Sequence, residues 1–395
     1  MTDAAPPHPP ALSGRRLQLA QVALMLGNFM VGISVTGPTA MLGELSLGLD
    51  VSIQAAGMLI TYGAVVLAFG SPLMAWLTGG MESRTLLIGS LLALTLGHAA
   101  SAFAPNYETL VAVRIVMLVA AAIYTPQAAS AAAMLVPVKD RSTAIAFVFL
   151  GWPLALSVGL PLMTFFAAQL GWRPTFAIVA GVGAVCSLLL ALGVPGGLRG
   201  QPVSMRTWGL LARNRMVLLL LLITCLQVAA QFLVFTFLGP LLQRAGATPN
   251  VVGLCFALFG IMGFVGSVTA TRMVRPVGAL RTSALFLSSM LLGALVWSFG
   301  AGAIVLMAIG LSLWGLGMAA TNSMQQARLV AAAPNAAGAS VALNTSAIYV
   351  AQAVGSGLGG FLFVRGGADV IGFVSVAFLA AALVVLAMTR GGGLK

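Results

Sequence analysis

One arginine lies inside a long apolar stretch of the sequence. Arg114 is the only charged residue of segment 109–135. A guanidinium at membrane depth costs several kcal/mol unless it is paired or hydrated, so such an arginine is expected to face the inside of a helix bundle. Alternatively, it lies near the end of its helix and extends to the polar interface, about two turns from Glu108. Both residues are therefore candidates for charge-dependent chemistry.

The seven acidic residues limit what buried titration could do. A carboxyl group in the middle of a membrane could exchange a proton in competition with a substrate. Every acid of this sequence falls instead at a terminus, in a loop or at the end of an apolar stretch. Glu44, Glu108 and His98 remain as possible proton carriers, although a single His is more often a hydrogen-bonded packing residue. The acids are Asp3, Glu44, Asp50, Glu82, Glu108, Asp140 and Asp369.

Uncharged polar residues recur at helical spacing. Gln227 and Gln231 are four residues apart, and Asn344 and Gln352 are eight apart, so each pair shares one helix face. Because polar groups in hydrocarbon need partners, these faces are expected to turn inward. The alternative is hydrogen bonding between helices, worth about 0.6 kcal/mol for each bond. The predicted cavity residues are Asn28, Thr36, Tyr124, Gln127, Gln227, Gln231, Phe235, Asn322, Asn344 and Gln352.

The types of these residues also predict the solute. They are amides, hydroxyls and aromatic rings, and none of them carries a charge. Such a cavity suits a neutral or amphipathic molecule and gives no reason to expect a strongly charged one.

The composition decides which elements must position these side chains. Of the 395 residues, 60% are hydrophobic and only 7% are charged, whereas an ordinary soluble domain is about one quarter charged. Most of the chain must therefore be surrounded by lipid, where a helix of about 20 apolar residues is needed to cross. The apolar stretches predict twelve spans, near 17–40, 53–77, 85–104, 108–134, 143–168, 174–193, 216–240, 250–271, 281–299, 302–324, 337–363 and 369–389.

The basic residues predict the orientation, because Lys and Arg concentrate in cytoplasmic loops. Of the 19 Lys and Arg residues, only Arg173, Arg244 and Arg365 fall in the outer loops if both termini are cytoplasmic. Arg114 lies within a span, and all the others fall in inner segments. We therefore expect a multi-pass protein of the bacterial inner membrane with both termini in the cytoplasm.

The longest inner connection divides the chain into two halves. Segment 194–215 is rich in Pro, Gly and Arg. Gly63 and Gly260 each lie 21 residues before an Arg-Thr pair, which favours an internal repeat. The predicted organisation is a disordered cytoplasmic N-terminus 1–16, a six-helix bundle 17–193, the cytoplasmic linker 194–215, a second six-helix bundle 216–389 and a cytoplasmic tail 390–395.

The fifth span carries the motif that suggests a family. Gly151-Trp152-Pro153 and Gly159-Leu160-Pro161 place glycines on nearly one helix face, where they permit close packing, and each proline permits bending. With the following Gly171-Trp172-Arg173, this pattern resembles the Gly-Pro motif of exporters in the major facilitator superfamily, in particular its twelve-span drug:proton antiporter branch. The resemblance covers nearly all of residues 17–389. It implies an all-α membrane protein with two pseudo-symmetric six-helix bundles.

The resemblance also implies roles for particular residues. The loop after the second span is similar to the superfamily's conformational latch, although Thr78 stands where the family has Asp and only Glu82 and Arg84 keep a charge. Arg114 matches the family's fourth-span arginine, which is implicated in proton coupling, but Met117 and Leu118 replace the usual Gln and Gly. The coupling and conformational set is Arg114, Glu108, Glu82, Arg84, Gly151, Pro153, Gly159 and Pro161.

Several functions are excluded or disfavoured by missing patterns. There is no P-loop, no G-x-S-x-G elbow and no H-E-x-x-H helix, so we expect no enzyme, and no metal or other cofactor. The scattered basic residues do not predict nucleic-acid binding.

The sequence is compatible with three functions. The leading hypothesis is export of a drug, sugar or nucleoside-like metabolite by alternating access, with protons as the coupling ion and the protein working as a monomer. The first alternative is an importer or an uncoupled facilitator on the same fold. The second is a membrane scaffold or sensor that does not transport.

Overall fold

The computed structural model describes residues 14–78, 80–137, 140–199, 209, 211–333 and 337–389. This part of the chain contains twelve helices that are long and apolar enough to cross a membrane, which confirms the predicted fold class. Residues 1–13 of the predicted N-terminus, residues 200–208 and 210 of the predicted linker, and the whole predicted tail 390–395 lie outside the described residues. The spans are α1 Gly14–Leu49, α2 Ile53–Thr78, α3 Ser83–Ala102, α4 Tyr107–Met134, α5 Thr143–Leu170, α6 Trp172–Gly193, α7 Arg215–Phe235, α8 Pro249–Val277, α9 Ala279–Phe299, α10 Ile304–Ala332, α11 Ala339–Val364 and α12 Gly367–Met388.

Three spans, α1, α5 and α12, change their helix type along their length, and α12 does so only at its start, in a 3-10 turn at Gly367–Asp369. In α1 the α-helix ends at Thr36, a 3-10 turn follows at Gly37–Met41, and a short helix Leu42–Gly48 completes the span. Pro38 explains the change, because it has no N–H to donate within the helix. Thus α1 continues well beyond the predicted end at residue 40. The first half of the chain otherwise follows the expected boundaries closely.

The helix α5 contains a π-helical turn at Ala155–Gly159. Pro153 precedes this turn and Pro161 follows it. Each proline removes one hydrogen bond from the helix, and π-turns are sites where a helix widens and bends. The predicted bending element is therefore located in the middle of α5.

The two ends of the helix bundle are named here by the residues that they hold. We call the end that holds residues 49–53, 102–107, 170–172, 235–249, 299–304 and 364–371 the loop end, and the opposite end, which holds Gly14 and Met388, the tail end. A short helix, Leu238–Arg244, follows α7 at the loop end. Within each half, α3 packs on α4 and α6, and α9 packs on α10 and α12. Between the halves, α2 packs on α11 and α5 packs on α8.

The burial of α1 and α7 shows which end is closed. Every residue from 30 to 42 in α1 is buried, and so is every residue from 227 to 242 in and after α7. On the tail side of these segments, both helices expose residues periodically, such as Val22 and Leu222. Among the described residues, α4 and α10 make no extended contact with one another. The two halves are therefore joined at the loop end and diverge toward the tail end, which leaves a cleft between them.

Candidate functional site

In the first half, Asn28 and Tyr124 are used in bonds between helices. Asn28 Nδ2 donates to the carbonyl oxygen of Val148 at 3.2 Å, and its Oδ1 accepts from Thr125 Oγ1 at 2.8 Å. The Tyr124 hydroxyl donates to the carbonyl oxygen of Leu24 at 3.2 Å. Both side chains are fully buried. They join α1 to α4 and α5, and neither offers a free polar atom to the cleft.

Thr36 and Gln127 lie at opposite ends of the first half. The Thr36 hydroxyl donates within its own helix to the carbonyl oxygen of Gly32. Gln127 Oε1 accepts from Ser83 Oγ at 2.9 Å, and its Nε2 lies 3.5 Å from the carbonyl oxygen of Thr78. Gln127 therefore anchors the loop between α2 and α3 at the tail end, and the structure does not bring these two predicted residues together.

In the second half, amide side chains connect α7 to α10 and α11. Gln227 Nε2 donates to Asn322 Oδ1 at 2.8 Å, and Thr224 Oγ1 donates to Asn344 Oδ1 at 2.8 Å. The Gln227 Oε1 and Asn344 Nδ2 atoms are buried without a hydrogen-bond partner. The Gln227–Asn322 pair thus keeps an unused acceptor, and the Thr224–Asn344 pair keeps an unused donor.

Further along the same helix faces, the side chains of two glutamines lack hydrogen-bond partners in the part of the chain that the structure describes. Gln352 is 1% exposed, and its Nε2 is buried without a partner. Gln231 is buried and makes no hydrogen bond within the described residues. Phe235 packs against the rings of Phe256 and Phe259, with centroids 5.4 and 5.1 Å away. The polar face ends at this aromatic cluster, toward the loop end.

Gln325 belongs with these amides, although it was not in the predicted cavity set. It is fully buried in α10, and both of its amide atoms lack a partner. Its position three residues after Asn322 places both on one face. That spacing is visible in the sequence, but it does not show which residues of the face lack a partner.

Unpartnered amide atoms are costly. Each buried donor or acceptor without a hydrogen bond destabilises the protein by about 1–3 kcal/mol. Buried polar groups of this kind call for a water molecule, a ligand or another conformation. We call Gln227, Asn322, Gln325, Asn344 and Gln352 the amide face.

Arg114 is buried with little to compensate its charge. It is 2% exposed, and its Nη2 donates to the carbonyl oxygen of Ser34 at 2.8 Å, while Nε and Nη1 have no partner. Glu108 is exposed on the same helix. Arg114 has no salt bridge among the described residues. The guanidinium is therefore stabilised by a single hydrogen bond, to a backbone carbonyl of α1.

His98 contacts the same residue of α1. The Ser34 hydroxyl donates its single hydrogen to the carbonyl oxygen of Met30 at 2.7 Å, so it accepts from His98 Nε2 at 2.8 Å. His98 Nδ1 then lies buried as an acceptor without a partner. Arg114 and His98 are thus joined through Ser34, the hydroxyl serving one and the carbonyl the other.

The glycines of α5 pack on α1. A methyl group at Gly151 would lie 2.4 Å from the carbonyl oxygen of Met25, and one at Gly159 would lie 2.8 Å from Ile33. Contacts below 3.0 Å cannot be accommodated without a shift. Gly151 therefore requires glycine, because its neighbours are backbone atoms, whereas at Gly159 the flexible Ile33 side chain would have to move. The predicted motif therefore holds α5 tightly against the central helix of its own half.

The opposite face of α5 meets α8 of the other half. A methyl group at Gly260 would lie 2.5 Å from the backbone nitrogen of Ser157, within the π-turn. Gly253 lies opposite Pro161 with more room, 3.5 Å from its carbonyl oxygen. The bending segment of α5 is thus also one of the contacts between the halves.

Phe237 seals the loop end. Its ring is fully buried and stacks on Phe363 at 5.4 Å. It also lies against Gly57 of α2 and Gly360 of α11, where added methyl groups would come within 2.6 and 3.3 Å of the ring. The aromatic ring fills the space that these glycines leave between the two halves.

Glu82 and Arg84 bind within the first half. Glu82 Oε1 accepts from the backbone N–H of Gly197 at 2.8 Å, and Arg84 Nη2 donates to the carbonyl oxygen of Ala191 at 2.9 Å. The N–H of Gly197, followed by the Thr85 hydroxyl, lowers the pKa of the Glu82 carboxyl. In this conformation the loop between α2 and α3 is fastened to the segment after α6.

Comparison with known proteins agrees with this architecture. The model of the Major Facilitator Superfamily matches residues 24–356. The chain belongs to the Major Facilitator Superfamily. It is 32% identical to the Inner membrane transport protein YdhP of Escherichia coli O157:H7 over 352 residues, which cover 87% of this chain and 89% of that protein. The superfamily assignment and these relatives identify a transporter of small molecules and not an enzyme.

Two further similarities are informative. A Probable sugar efflux transporter of Mannheimia succiniciproducens is 25% identical over 366 residues, 92% of this chain and 91% of that protein. Among solved structures, a bacterial homolog of the human lysosomal transporter Spinster, inward-facing and occupied, superposes with a TM-score of 0.76 at 16% identity, covering 97% of this chain and 99% of that one. At that identity, the structural likeness shows the shared fold alone.

Proposed function

We propose that this superfamily member is a secondary active transporter that exports a small neutral polar molecule by alternating access, in exchange for protons. The observation that carries the proposal is the amide face, with its unpartnered atoms. It lies in a bundle whose halves are joined at one end only.

The joined loop end supports alternating access. If both termini are cytoplasmic, as the arginine distribution predicts, the cleft faces the cytosol and is ready to load a molecule for export. Opening the other way requires α5 to separate from α8 and α2 from α11. The π-turn and two prolines of α5 supply the bend at the contact that must break.

The amide face supports a neutral substrate that both donates and accepts hydrogen bonds. Its free atoms are the Gln227 acceptor, the Asn344 and Gln352 donors, and both atoms of Gln325. A hydroxyl-rich molecule such as a sugar or a nucleoside can satisfy donors and acceptors alike, whereas an ion finds no charged partner there. The relative named as a probable sugar efflux transporter is in keeping with this class.

Proton exchange is assigned to His98 and Arg114. The sequence has no acidic residue in the middle of a span, and His98 is its only histidine within one. His98 Nδ1 has a free lone pair, and the neighbouring Arg114 disfavours a second positive charge. Movement of α1 would break both contacts with Ser34 and let the ring take up a proton.

An uncoupled facilitator or an importer is the second candidate. The same lack of an acidic residue within the membrane favours it, because most of the protein's ionisable groups cannot take part in coupling. The two candidates differ in one measurable property, the response of the transport rate to a pH gradient.

The test begins by finding a ligand through a thermal-shift screen of the purified protein against sugars, nucleosides and neutral drugs, since a bound ligand stabilises the folded state. Transport of the best ligand is then measured in proteoliposomes with and without an imposed pH gradient. A rate that follows the gradient in wild type but not in His98→Gln supports coupled transport. A rate that ignores the gradient in wild type refutes proton exchange and leaves the facilitator.

A further inference from the structure

A groove outside the central cleft lies between α9 and α12 at the tail end. Its volume is about 460 Å³, which is within the range of small-molecule sites. Apart from one arginine it is lined by Leu and Ala side chains. The lining residues are Leu280, Arg281, Ala284, Leu383, Leu386 and Ala387.

The groove opens toward lipid and away from the cleft between the halves. Leu285 of α9 and Val384 and Met388 of α12 are next in sequence to lining residues, and they are 52, 63 and 56% exposed. Apolar side chains with such exposure on outer helices face hydrocarbon. The natural occupant of an apolar groove at this surface is therefore an acyl chain.

Two arginines give the tail end of the groove an unbalanced positive charge. Arg281 is exposed at its mouth and forms no salt bridge among the described residues. Arg328 lies behind the end of α12, where its Nη2 donates to Thr389 Oγ1 at 2.6 Å and its Nη1 is buried without a partner. The Thr389 hydroxyl in turn donates to the carbonyl oxygen of Leu386, a lining residue.

The second half of the chain has no acidic residue at this end to neutralise the charge. Beyond residue 194 the sequence contains one acid, Asp369, which lies at the loop end. A phosphate is the complementary group, and basic pockets between helices at a membrane surface are typical sites for anionic lipid headgroups.

We propose that the groove binds one anionic phospholipid, with an acyl chain between α9 and α12 and its phosphate on Arg281. Arg328 contributes positive potential from behind Thr389. This inference concerns a lipid ligand and does not depend on the substrate or on proton exchange.

The test is native mass spectrometry of the detergent-purified full chain with dioleoylphosphatidylglycerol or dioleoylphosphatidylcholine. Wild type is expected to hold one phosphatidylglycerol molecule in preference to phosphatidylcholine. Arg281→Gln should weaken phosphatidylglycerol binding about fivefold, the effect of one basic residue near a membrane surface. Arg272→Gln, which removes an exposed arginine of α8 at the same end outside the groove, serves as the matched control.

A second variant tests the acyl chain. Ala387→Phe fills the groove from an exposed position, so it should fold and lose phosphatidylglycerol and phosphatidylcholine alike. If this variant does not fold, the comparison of Arg281→Gln with Arg272→Gln decides alone. Equal binding of the two lipids, equal effects of the two arginine variants, or displacement of the lipid by inorganic phosphate would overturn the proposal.

Discussion

The hydroxyl groups of Thr61 and Ser356 lie 2.8 Å apart and join α2 to α11 across the two halves of the molecule. Ser356 Oγ donates to the carbonyl oxygen of Gln352 at 2.7 Å, so Thr61 donates the bond between the halves. This pair lies near Phe237 and Gly360, and a methyl group at Gly357 would lie 3.7 Å from Thr61. The loop end is therefore closed by a hydrogen bond set among close helix contacts.

Thr61→Val should weaken this closure. A hydrogen bond between membrane helices contributes about 0.6 kcal/mol, so the open population of the loop end should rise about threefold. Distances between spin labels at the exposed positions 47 and 244 report the two populations. Thr345→Val in α11, whose hydroxyl bonds only within its own helix, should leave them unchanged. Equal changes of the spin-label distances in both variants would contradict the role of the Thr61–Ser356 hydrogen bond in closing the loop end.

Gly260→Ala should separate α8 from α5. The new methyl group would meet the Ser157 backbone at 2.5 Å, and overpacking of this kind costs about 1–3 kcal/mol. Gly253→Ala, with 3.5 Å to Pro161, is the matched control on the same helix face. We expect a clear fall in the melting temperature for position 260 and little change for 253. A tolerated alanine at 260 would show that the helices can slide apart without cost.

Arg114→Met should raise thermal stability while abolishing coupled transport. In the closed loop-end state the guanidinium is buried with two unpartnered nitrogens, and removing such a charge is expected to stabilise this state by about 1–3 kcal/mol. Arg173→Met provides the contrast. Arg173 donates to the carbonyl oxygen of Ala104 at 2.9 Å and stacks on Trp172, so its loss should lower the melting temperature. A destabilised Arg114→Met protein would mean that a partner compensates the charge.

Gln352→Leu should separate binding from stability. The side chain makes no hydrogen bond within the described residues, so the substitution should leave the melting temperature unchanged or raise it. It should weaken the ligand found in the screen about tenfold, because a bound hydroxyl loses its partner. Gln127→Leu is the control with the opposite outcome, since Gln127 is bonded to Ser83 and contributes to the fold. Unchanged ligand affinity in Gln352→Leu would remove it from the site.

Glu82 should fasten the segment after α6 in a pH-dependent way. Its carboxylate accepts from Gly197 N–H, which lowers its pKa below the ordinary value of 4.5. The stabilisation is therefore complete above pH 4.5 and is lost as the pH falls through the lower pKa of the folded state.

Hydrogen exchange of the Gly197 amide, expressed as a protection factor, measures this effect. Protection should be high at neutral pH and fall in strong acid, whereas in Glu82→Gln, whose neutral amide oxygen is the weaker acceptor, it should be lower than in wild type at neutral pH and should not change with pH. Glu108→Gln, at an exposed carboxylate on α4, should behave like wild type. Protection that does not change between pH 7 and strong acid would show that the carboxylate is not the acceptor.

The sequence was enough to place the spans, and the reason is general. Backbone polar groups in lipid must be satisfied within a helix, so each apolar stretch between breakers becomes a span of the right length. The Gly-Pro pattern around Gly151 was equally readable, because only glycine lets two backbones approach closely. The isolated Arg114 predicted a buried charge for the same reason, since hydrocarbon does not tolerate it.

Only the tertiary structure decided which polar side chains remain free. Asn28 and Asn344 look alike in the sequence, yet both polar atoms of Asn28 are bonded, whereas Asn344 keeps an unpartnered Nδ2. Spacing along a helix determines a face but not the depth and rotation of the helix opposite. For the same reason, the sequence did not show that Arg114 and His98 both bind Ser34. It also did not show which end of the bundle is closed.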